Sequence, residues 1–305
     1  MWEKFEFFSG YGFNKSHAVS YSMISYQCAW LLNYYEAEWM AAFLDKEPET
    51  RKEKAINVAK SFGYYIEPLN VNTSGRTWEI SADATTLIQP LTSIKAIDQI
   101  FAGRPFNKVE DFLFNEEMRY SKLNKKAIDV LIRSNAMRTL IDDRFTGTKH
   151  FWSAIAVDRP RKMKNLEDNI KLYAPEGNFS TEEQIHFLTE LTGQFPLAKV
   201  VDDNTLRKLE EMRVPPLSEY DRQLGLAWCI PRKIILKKTA TGKDYLLVEV
   251  TDSNSSNIRV RCWGVDPSMG DLLKLNKPYL MKPAYNEQWG FSTRGRISKY
   301  WKALA

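Results

Sequence analysis

A lysine and a histidine near the N-terminus stand where they could bind a phosphate. Lys15 and His17 open a long run that contains neither Pro nor Gly, and apolar residues recur in that run every three or four positions. This period predicts a helix with one buried face. The residues of the predicted buried face are Val19, Met23, Tyr26, Trp30 and Tyr34.

With Asn14 or Ser16 as the N-cap, Lys15 and His17 lie in the first turn of this helix. Free backbone N–H groups and the positive end of the helix dipole are found at the same turn, so a phosphate would be stabilised there. The candidate phosphate site is therefore Asn14, Lys15, Ser16 and His17. The alternative is a capped helix whose basic side chains only face water.

A second candidate site follows from a strand pattern around residue 260. Alternation over 258–263 places Ile258, Val260 and Cys262 on one face of a strand, and it places Arg259, Arg261 and Trp263 on the other. Guanidinium groups bind phosphates and an indole stacks on a base, so this face suits single-stranded nucleic acid. The alternative is that Trp263 packs at the end of a barrel and the arginines only solvate the sheet.

The residues after Gly225 form a basic segment with a period of two. Strands are predicted over 234–238, 245–251, 258–263, 279–282 and 289–293. Short strands with this spacing fit an OB-fold, which is a five-stranded, partly open barrel. From Gly225 to the end there are 14 Lys and Arg against 6 Asp and Glu, a net charge of +8, which favours a polyanionic partner. A basic tail, with Tyr300 and Trp301 interleaved, is expected to extend the surface of Arg259, Arg261 and Trp263, and its basic residues are Arg294, Arg296, Lys299 and Lys302.

The residues before this segment have helical patterns. A helix is predicted over 51–62 with Gly63 at its C′ position, and a capped helix start is predicted at Thr181. The predicted fold class is α+β and multidomain, with a mainly α-helical N-terminal two thirds and a small all-β barrel after it. The predicted units are residues 1–80, 81–146, a helical connector at 147–224, and 225–305.

Composition excludes several classes of protein. With 305 residues, 44% hydrophobic and 27% charged, the chain is typical of a globular protein. It has no run of apolar residues long enough for a membrane span, so no membrane partner is expected. Cys28, Cys229 and Cys262 are scattered, which predicts no zinc site and a reducing, cytoplasmic location.

Carboxylates in the spacing of a two-metal site are not found. Two-metal phosphoryl transfer needs two metal ions held by carboxylates, yet the sequence has no Asp-x-Asp. Asp142-Asp143 and Asp202-Asp203 are adjacent pairs, whose side chains would diverge on a helix or strand. No catalytic residue and no bound metal are therefore predicted in this chain.

Several N-terminal segments resemble a known family. Residues 11–18 (YGFNKSHA), 25–27 (SYQ), 29–31 (AWL) and 37–42 (AEWMAA) resemble the fingers segment of the bacterial C-family replicative polymerases, the DNA polymerase III alpha subunits. The resemblance implies that Lys15 and His17 lie near the incoming triphosphate or the nascent base pair. It also implies an OB-fold after the helical region.

The resemblance continues over residues 91–137, which follow the family's order. In the family this region contains a helix-hairpin-helix that binds duplex DNA, but the hairpin glycines expected after Ile94-Lys95 are absent here. Without them the backbone approaches a phosphate less closely. Lys122, Lys125 and Lys126 could still contact a DNA backbone electrostatically, and the alternative is a solvated helix start.

A short peptide resembles the one by which replicative polymerases bind their sliding clamp. Its residues are Gln223, Leu224, Leu226 and Trp228, and residues 184–188 are a poorer match. The alternative is that 224–228 only begins the core of the following domain.

Together these features predict the C-terminal portion of a replicative DNA-directed DNA polymerase, with the palm and its catalytic aspartates on another chain. The expected partners are primer-template DNA, single-stranded template, the palm-bearing chain and, as a further candidate, the sliding clamp. Mg²⁺ is expected in the complete polymerase, and the isolated chain is expected to be inactive. A split gene, for which a phage genome is a natural setting, would give this arrangement. The alternative function is a free-standing single-stranded DNA-binding accessory protein on a fingers-like scaffold, and a third possibility is a remnant without activity.

Overall fold

The computed structural model of the protein describes residues 15–48, 51–91, 97–118, 123–254, 257–265 and 273–304. The described part of the chain begins with three helices. These are α1 (Lys15–Tyr34), α2 (Glu36–Lys46) and α3 (Lys52–Ser61). Gly63 follows α3 with a φ of 93°, a left-handed conformation that glycine adopts readily, so the predicted end of this helix is confirmed.

Helix α1 has the predicted extent, but the prediction of a buried face was wrong. None of its 20 residues is buried. The five residues expected to pack are exposed by between 43% and 70%. Helix α1 extends from α2 with nothing covering its sides within the described residues. The period of three and four residues identified an amphipathic helix correctly, but a period contains no information about which surface covers the helix.

A small three-stranded sheet packs under α2 and α3. Its strands are β1 (Tyr65–Glu67), β2 (Glu79–Ile80) and β3 (Thr86–Ile88), in the order β1-β3-β2. Strands β1 and β3 are parallel, and β2 and β3 are antiparallel. Leu44 of α2, Ile56 of α3 and Leu87 of β3 form one buried core with their neighbours.

Five short helices form the middle of the molecule. They are α4 (Ile97–Gly103), α5 (Val109–Leu113), α6 (Lys125–Arg133), α7 (Thr148–Trp152) and α8 (Met163–Tyr173). A single core, which includes Phe106, Phe112 and Phe151, runs between them. Burial of these rings and of the aliphatic side chains around them drives the packing of this helical part.

Two more helices, α9 (Thr181–Thr192) and α10 (Asp203–Glu211), lead to the C-terminal sheet. The predicted capped start at Thr181 is confirmed, because Ser180 and Glu183 form a reciprocal capping box. Ile185 of α9 and Leu209 of α10 belong to a core cluster that also contains Trp228 and Ile230. This shared cluster anchors the connecting helices to the C-terminal sheet.

The C-terminal part, here called the β module, is a seven-stranded sheet. Its elements are β4 (Ala227–Lys238), β5 (Asp244–Thr251), β6 (Ile258–Trp263), β7 (Tyr279–Met281), β8 (Ala284–Asn286), β9 (Gly290–Arg294), the short helix α11 (Ile297–Tyr300) and β10 (Trp301–Ala303). The strand order is β10-β7-β4-β5-β6-β9-β8, and β6 and β9 are parallel while the other pairs are antiparallel.

The predicted fold class is confirmed, since a mainly helical region precedes a small barrel-like sheet. All five predicted strands are present. Strands β8 and β10 were not predicted: β8 is exposed along its whole length, so it shows no alternation, and β10 lies in a basic stretch that has the composition of a surface. None of the helices in the described ranges is long and apolar enough to cross a membrane.

Candidate nucleic-acid interface

Strand β6 presents basic and aromatic side chains on its outer side. Val260 and Cys262 point into the sheet core and are buried. Arg259 is exposed, and Arg261 and Trp263 are half-buried. The alternation expected from the sequence therefore holds, and the outward residues Arg259, Arg261 and Trp263 are here called the β6 face. Successive members are two residues apart, which is about 6.6 Å along a strand.

Neighbouring groups hold the two arginines of the β6 face in place. Arg259 pairs across the sheet with Glu249 of β5, with 3.2 Å between Nε and Oε1. The Arg261 guanidinium donates to the backbone carbonyl oxygen of Trp289, at the turn between β8 and β9. Because an exposed ion pair is worth little, the Arg259 guanidinium can exchange Glu249 for a phosphate at small cost.

Trp263 is supported from below by an aromatic neighbour. Its ring lies 4.5 Å from that of Tyr245, centroid to centroid, at an interplanar angle of 33°. The two residues are directly opposite each other in the β5–β6 register. This contact limits the rotation of the indole, so little side-chain entropy remains to be lost when a base stacks on it.

Arg294 lies beside Trp263 in the parallel register of β6 and β9. Its side chain is exposed and forms no hydrogen bond or ion pair with any described residue. Both residues line a cleft of about 660 Å³, here called the Trp263 cleft, together with Lys243, Asp244 and Tyr300. That volume falls in the range of small-molecule sites, and a nucleobase is well within it.

The charge of the Trp263 cleft is positive. Among the described lining residues, Lys243 and Arg294 face a single acid, Asp244, whose Oδ1 is 4.0 Å from the Lys238 ammonium. Arg296 follows at the start of α11 and is also exposed. Trp301, expected from the sequence to belong to this surface, is instead 4% exposed and packs in the sheet core against Tyr279. It was misplaced because its strand partner, β7, is distant in the sequence.

The phosphate site predicted at the N-terminus is only partly described. Asn14 lies outside the described residues. Lys15, Ser16 and His17 occupy the first turn of α1 and are exposed, and the His17 ring is 4.4 Å from that of Tyr21. Lys15 and His17 are two positions apart, so their side chains do not face each other on the helix. Ser16 is within the helix, and its carbonyl oxygen accepts from Ser20 Oγ at 2.9 Å.

The lysines predicted near residue 125 belong to the helical part. Lys122 lies outside the described residues, and so do Lys95 and Ala96, whereas Ile97 and Asp98, the next residues of the expected hairpin, begin α4. Lys125 and Lys126 form the first turn of α6, which Asn124 caps by accepting from the Ala127 N–H at 3.0 Å. Lys125 Nζ donates to the carbonyl oxygen of Val157 at 3.1 Å, so this side chain already has a structural contact.

The clamp-like peptide is not presented as one continuous exposed segment. Gln223 is exposed and Leu224 is 54% exposed, but Leu226 is only partly exposed and Trp228 is 3% exposed. Trp228 lies in β4, within the cluster that joins the connecting helices to the sheet. Only Gln223 and Leu224 could contact a partner without unfolding this strand.

The adjacent aspartate pairs have structural partners. Arg144 donates to Asp142 Oδ2 and to Glu110 Oε1, each at 2.6 Å, and these hydrogen bonds lower the pKa of both carboxyls. Asp202 caps α10 by accepting from the Thr205 N–H at 2.6 Å, which lowers its pKa. Within the described ranges, no group of three or more His, Cys, Asp or Glu side chains could hold a metal ion.

Sequence reasoning missed the contributions of Tyr245, Lys243 and Asp244 to this surface. Tyr245 could have been found, because it begins a predicted strand and its alternation places it on the same face as Leu247 and Glu249. The Trp263 cleft itself could not have been predicted, because it forms only when β6 and β9 pair in parallel, and no local sequence pattern specifies that pairing.

Comparison with known proteins places this geometry in context. No model of a protein family matches the chain. A DNA polymerase III alpha subunit from Thermus aquaticus is 31% identical over 148 residues, which are 45% of this chain and 12% of that protein. The alpha subunit from Aquifex aeolicus is 28% identical over 262 residues, or 81% of this chain and 22% of that protein.

The chain is similar in sequence to DNA polymerase III alpha subunits. A third relative, the alpha subunit from Campylobacter jejuni, is 27% identical over 236 residues, which cover 73% of this chain and 18% of that protein. The chain thus spans less than a quarter of the length of these alpha subunits. The family resemblance predicted from the fingers-like segments is confirmed by these matches.

Proposed function

We propose that this chain is the C-terminal part of a replicative DNA polymerase of the DNA polymerase III alpha kind, and that its β module binds single-stranded template. The observation that carries the proposal is the β6 face, in which Arg259 is exposed and Arg261 and Trp263 are half-buried, beside the Trp263 cleft. The similarity to alpha subunits supports the polymerase context. The net charge of +8 after Gly225 supports a nucleic-acid partner for this part of the chain.

Binding would combine stacking with charge. A template base stacks on the indole of Trp263, which is already oriented by Tyr245. Arg294 and Arg259 bind the neighbouring phosphates, and Lys243 adds a further positive charge at the rim of the cleft. Since stacking accepts every base and phosphates carry no sequence information, the interface would bind single strands without sequence preference.

The catalytic step would depend on residues of a palm carried by another chain. Asp142 pairs with Arg144, and Asp202 caps α10. These structural roles support the proposal that the catalytic carboxylates belong to another chain. Mg²⁺ would belong to the palm, and the first turn of α1, with Lys15, Ser16 and His17, would contact the triphosphate, as the family resemblance implies. Binding to a sliding clamp through Gln223 and Leu224 remains a prediction.

The proposal is tested with the purified chain in two assays. Fluorescence anisotropy should show tighter binding to a labelled oligodeoxythymidylate than to a duplex of equal length. Primer extension with Mg²⁺ should give no product with the chain alone, and extended product should appear when a palm-bearing partner chain is added. Robust synthesis by the isolated chain would contradict the division of labour, and failure to bind single strands would contradict the role of the β module.

The same assays separate the polymerase from the accessory-protein alternative. An accessory protein would bind single strands with the same salt sensitivity, but it would restore no synthesis to any palm-bearing chain and would not co-purify with one. The related alpha subunits favour the polymerase.

A further inference from the structure

A second cleft, of about 710 Å³, lies between α3 and the β module, and it is here called the α3 cleft. One wall is the side of α3 that carries Lys54, Asn57 and Ser61, with Lys60 at its edge. These positions are three or four residues apart, so they line one side of the helix. The other wall is formed by Ser218 and by Asn254 and Asn257, which lie between β5 and β6 along the chain.

The lining of the α3 cleft is rich in hydrogen-bond donors and poor in acids. Glu219 is the one carboxylate among its described lining residues, and it already accepts from Asn254 Nδ2 at 2.7 Å. Two ammonium groups therefore face a single, occupied acid, whereas Asn254 Nδ2 and Ser61 Oγ already donate to other described residues. Such a lining suits an anion with several acceptor oxygens, as a phosphodiester has.

Lys60 is the most informative residue of this cleft. It is half-buried, and its ammonium forms no hydrogen bond or ion pair with any described residue. Burial lowers the pKa of its ammonium, and the carboxylate of Glu53 offsets this only through its charge. That carboxylate is also 4.0 Å from the Arg232 guanidinium, so its charge is shared. An anion in the cleft would compensate the desolvation of Lys60.

The α3 cleft and the Trp263 cleft lie at opposite ends of β6. Asn257 immediately precedes the strand and lines the α3 cleft, whereas Trp263 ends the strand and lines the other. Six residues of extended chain separate them, a span of about 20 Å. The exposed Arg259 lies between the two clefts on the same strand.

We propose that the α3 cleft is a second anchor for the phosphate backbone of the strand that stacks on Trp263, so that one single strand runs along β6 from cleft to cleft. This inference rests on the proposed function of the β module. It adds residues of α3, in the helical part of the chain, to the binding site. Its consequence is that occupancy of the α3 cleft depends on the length of the strand.

The experiment compares two oligodeoxythymidylates. One has about 4 nucleotides, the short end of the site sizes of OB-folds, and the other has about 12 nucleotides, which is well within their range. Binding of the full chain is measured by anisotropy against salt concentration. The variant is Lys54→Gln combined with Lys60→Gln. The control, with the same change of charge on a distant helix, is Lys164→Gln combined with Lys171→Gln, whose side chains are exposed on α8.

For the longer strand, the α3 variant should bind about 10- to 25-fold more weakly near 0.1 M salt. The reason is that each of the two lysines would neutralise one phosphate, and each neutralised phosphate contributes about 0.7 to the slope of the logarithm of the binding constant against the logarithm of salt concentration. Its slope should fall by about 1.4. For the shorter strand its affinity should match the wild type, and the control should match the wild type for both lengths. Lys60→Arg as a single substitution keeps the charge, so this variant should bind the longer strand as the wild type does.

Two results would overturn the inference. An equal loss for both lengths would mean that the lysines act on the whole molecule rather than at a separate anchor, and no loss for either length would mean that the cleft does not contact the strand. If the double variant does not fold, Lys54→Gln alone, with its exposed side chain, gives the same comparison at about half the slope change. Failure of the wild type to bind either strand would instead refute the proposed function itself.

Discussion

Replacing the indole of Trp263 is the most direct test of how the β module binds a strand. Trp263→Ala removes the ring on which a base would stack while leaving every charge of the β6 face in place. Stacking of a base on an aromatic side chain is worth about 1–3 kcal/mol, which corresponds to a loss of affinity of roughly 5- to 150-fold. Because Tyr245 lies under the indole at 4.5 Å and would become available to a base, we expect the lower half of that range.

The salt dependence separates stacking from charge. Trp263 carries no charge, so the slope of the logarithm of the binding constant against the logarithm of salt concentration should not change in Trp263→Ala. Trp263→Phe keeps a smaller aromatic face and should recover part of the loss. Anisotropy titrations of a labelled oligodeoxythymidylate at several salt concentrations measure both quantities.

A matched control is available in the N-terminal sheet. Tyr65 in β1 is 61% exposed and lies outside the β module, so Tyr65→Ala should bind as the wild type does. Circular dichroism should show that Trp263→Ala keeps its sheet. The reasoning would be refuted if Trp263→Ala folded normally and bound single strands within twofold of the wild type.

Three further outcomes follow from the same structure. Arg294→Gln should reduce the salt slope by about 0.7, as expected for one lost phosphate contact, whereas Arg207→Gln on the exposed side of α10 should leave it unchanged. In a polymerase reconstituted with a palm-bearing chain, Lys15→Ala should raise the KM for the triphosphate roughly tenfold, the loss of about one charged hydrogen bond, and a change in DNA affinity alone would count against a triphosphate contact. The third outcome concerns pH. Arg144 lowers the pKa of Asp142, so their pairing stabilises the fold above about pH 4, where an unfolded aspartate is ionised, and this contribution is lost as the pH falls through the folded-state pKa. Arg144→Gln should therefore lower Tm at neutral pH but not in strong acid, and an equal difference in Tm at every pH would contradict this account.

Local patterns in the sequence were sufficient for most elements. The extent of α1, the end of α3 at Gly63 and the capping box of α9 each depend on residues within a few positions of one another. The strands of the β module were also recognisable, because one side of the sheet is buried and the other faces solvent. In such cases the side-chain period reports directly on the backbone.

Long-range pairing could not be predicted in the same way. Trp301 is buried because β10 pairs with β7, and Trp228 is buried because the connecting helices pack over β4. Each sits in a segment whose composition suggested a surface or a peptide motif. The α3 cleft is a stronger example, since it unites residues near position 57 with residues near position 254.

The uncovered side of α1 has a practical consequence for handling the protein. No charged residue occurs between His17 and Glu36, and the large apolar side chains of this helix are in contact with water. Exposed apolar surface of this kind promotes self-association, so sedimentation velocity should show aggregates whose proportion grows with protein concentration. Lysine substitutions at Met23 and Tyr26 should keep the isolated chain monodisperse, and they provide a practical route to the dilute, homogeneous samples that titrations with DNA require.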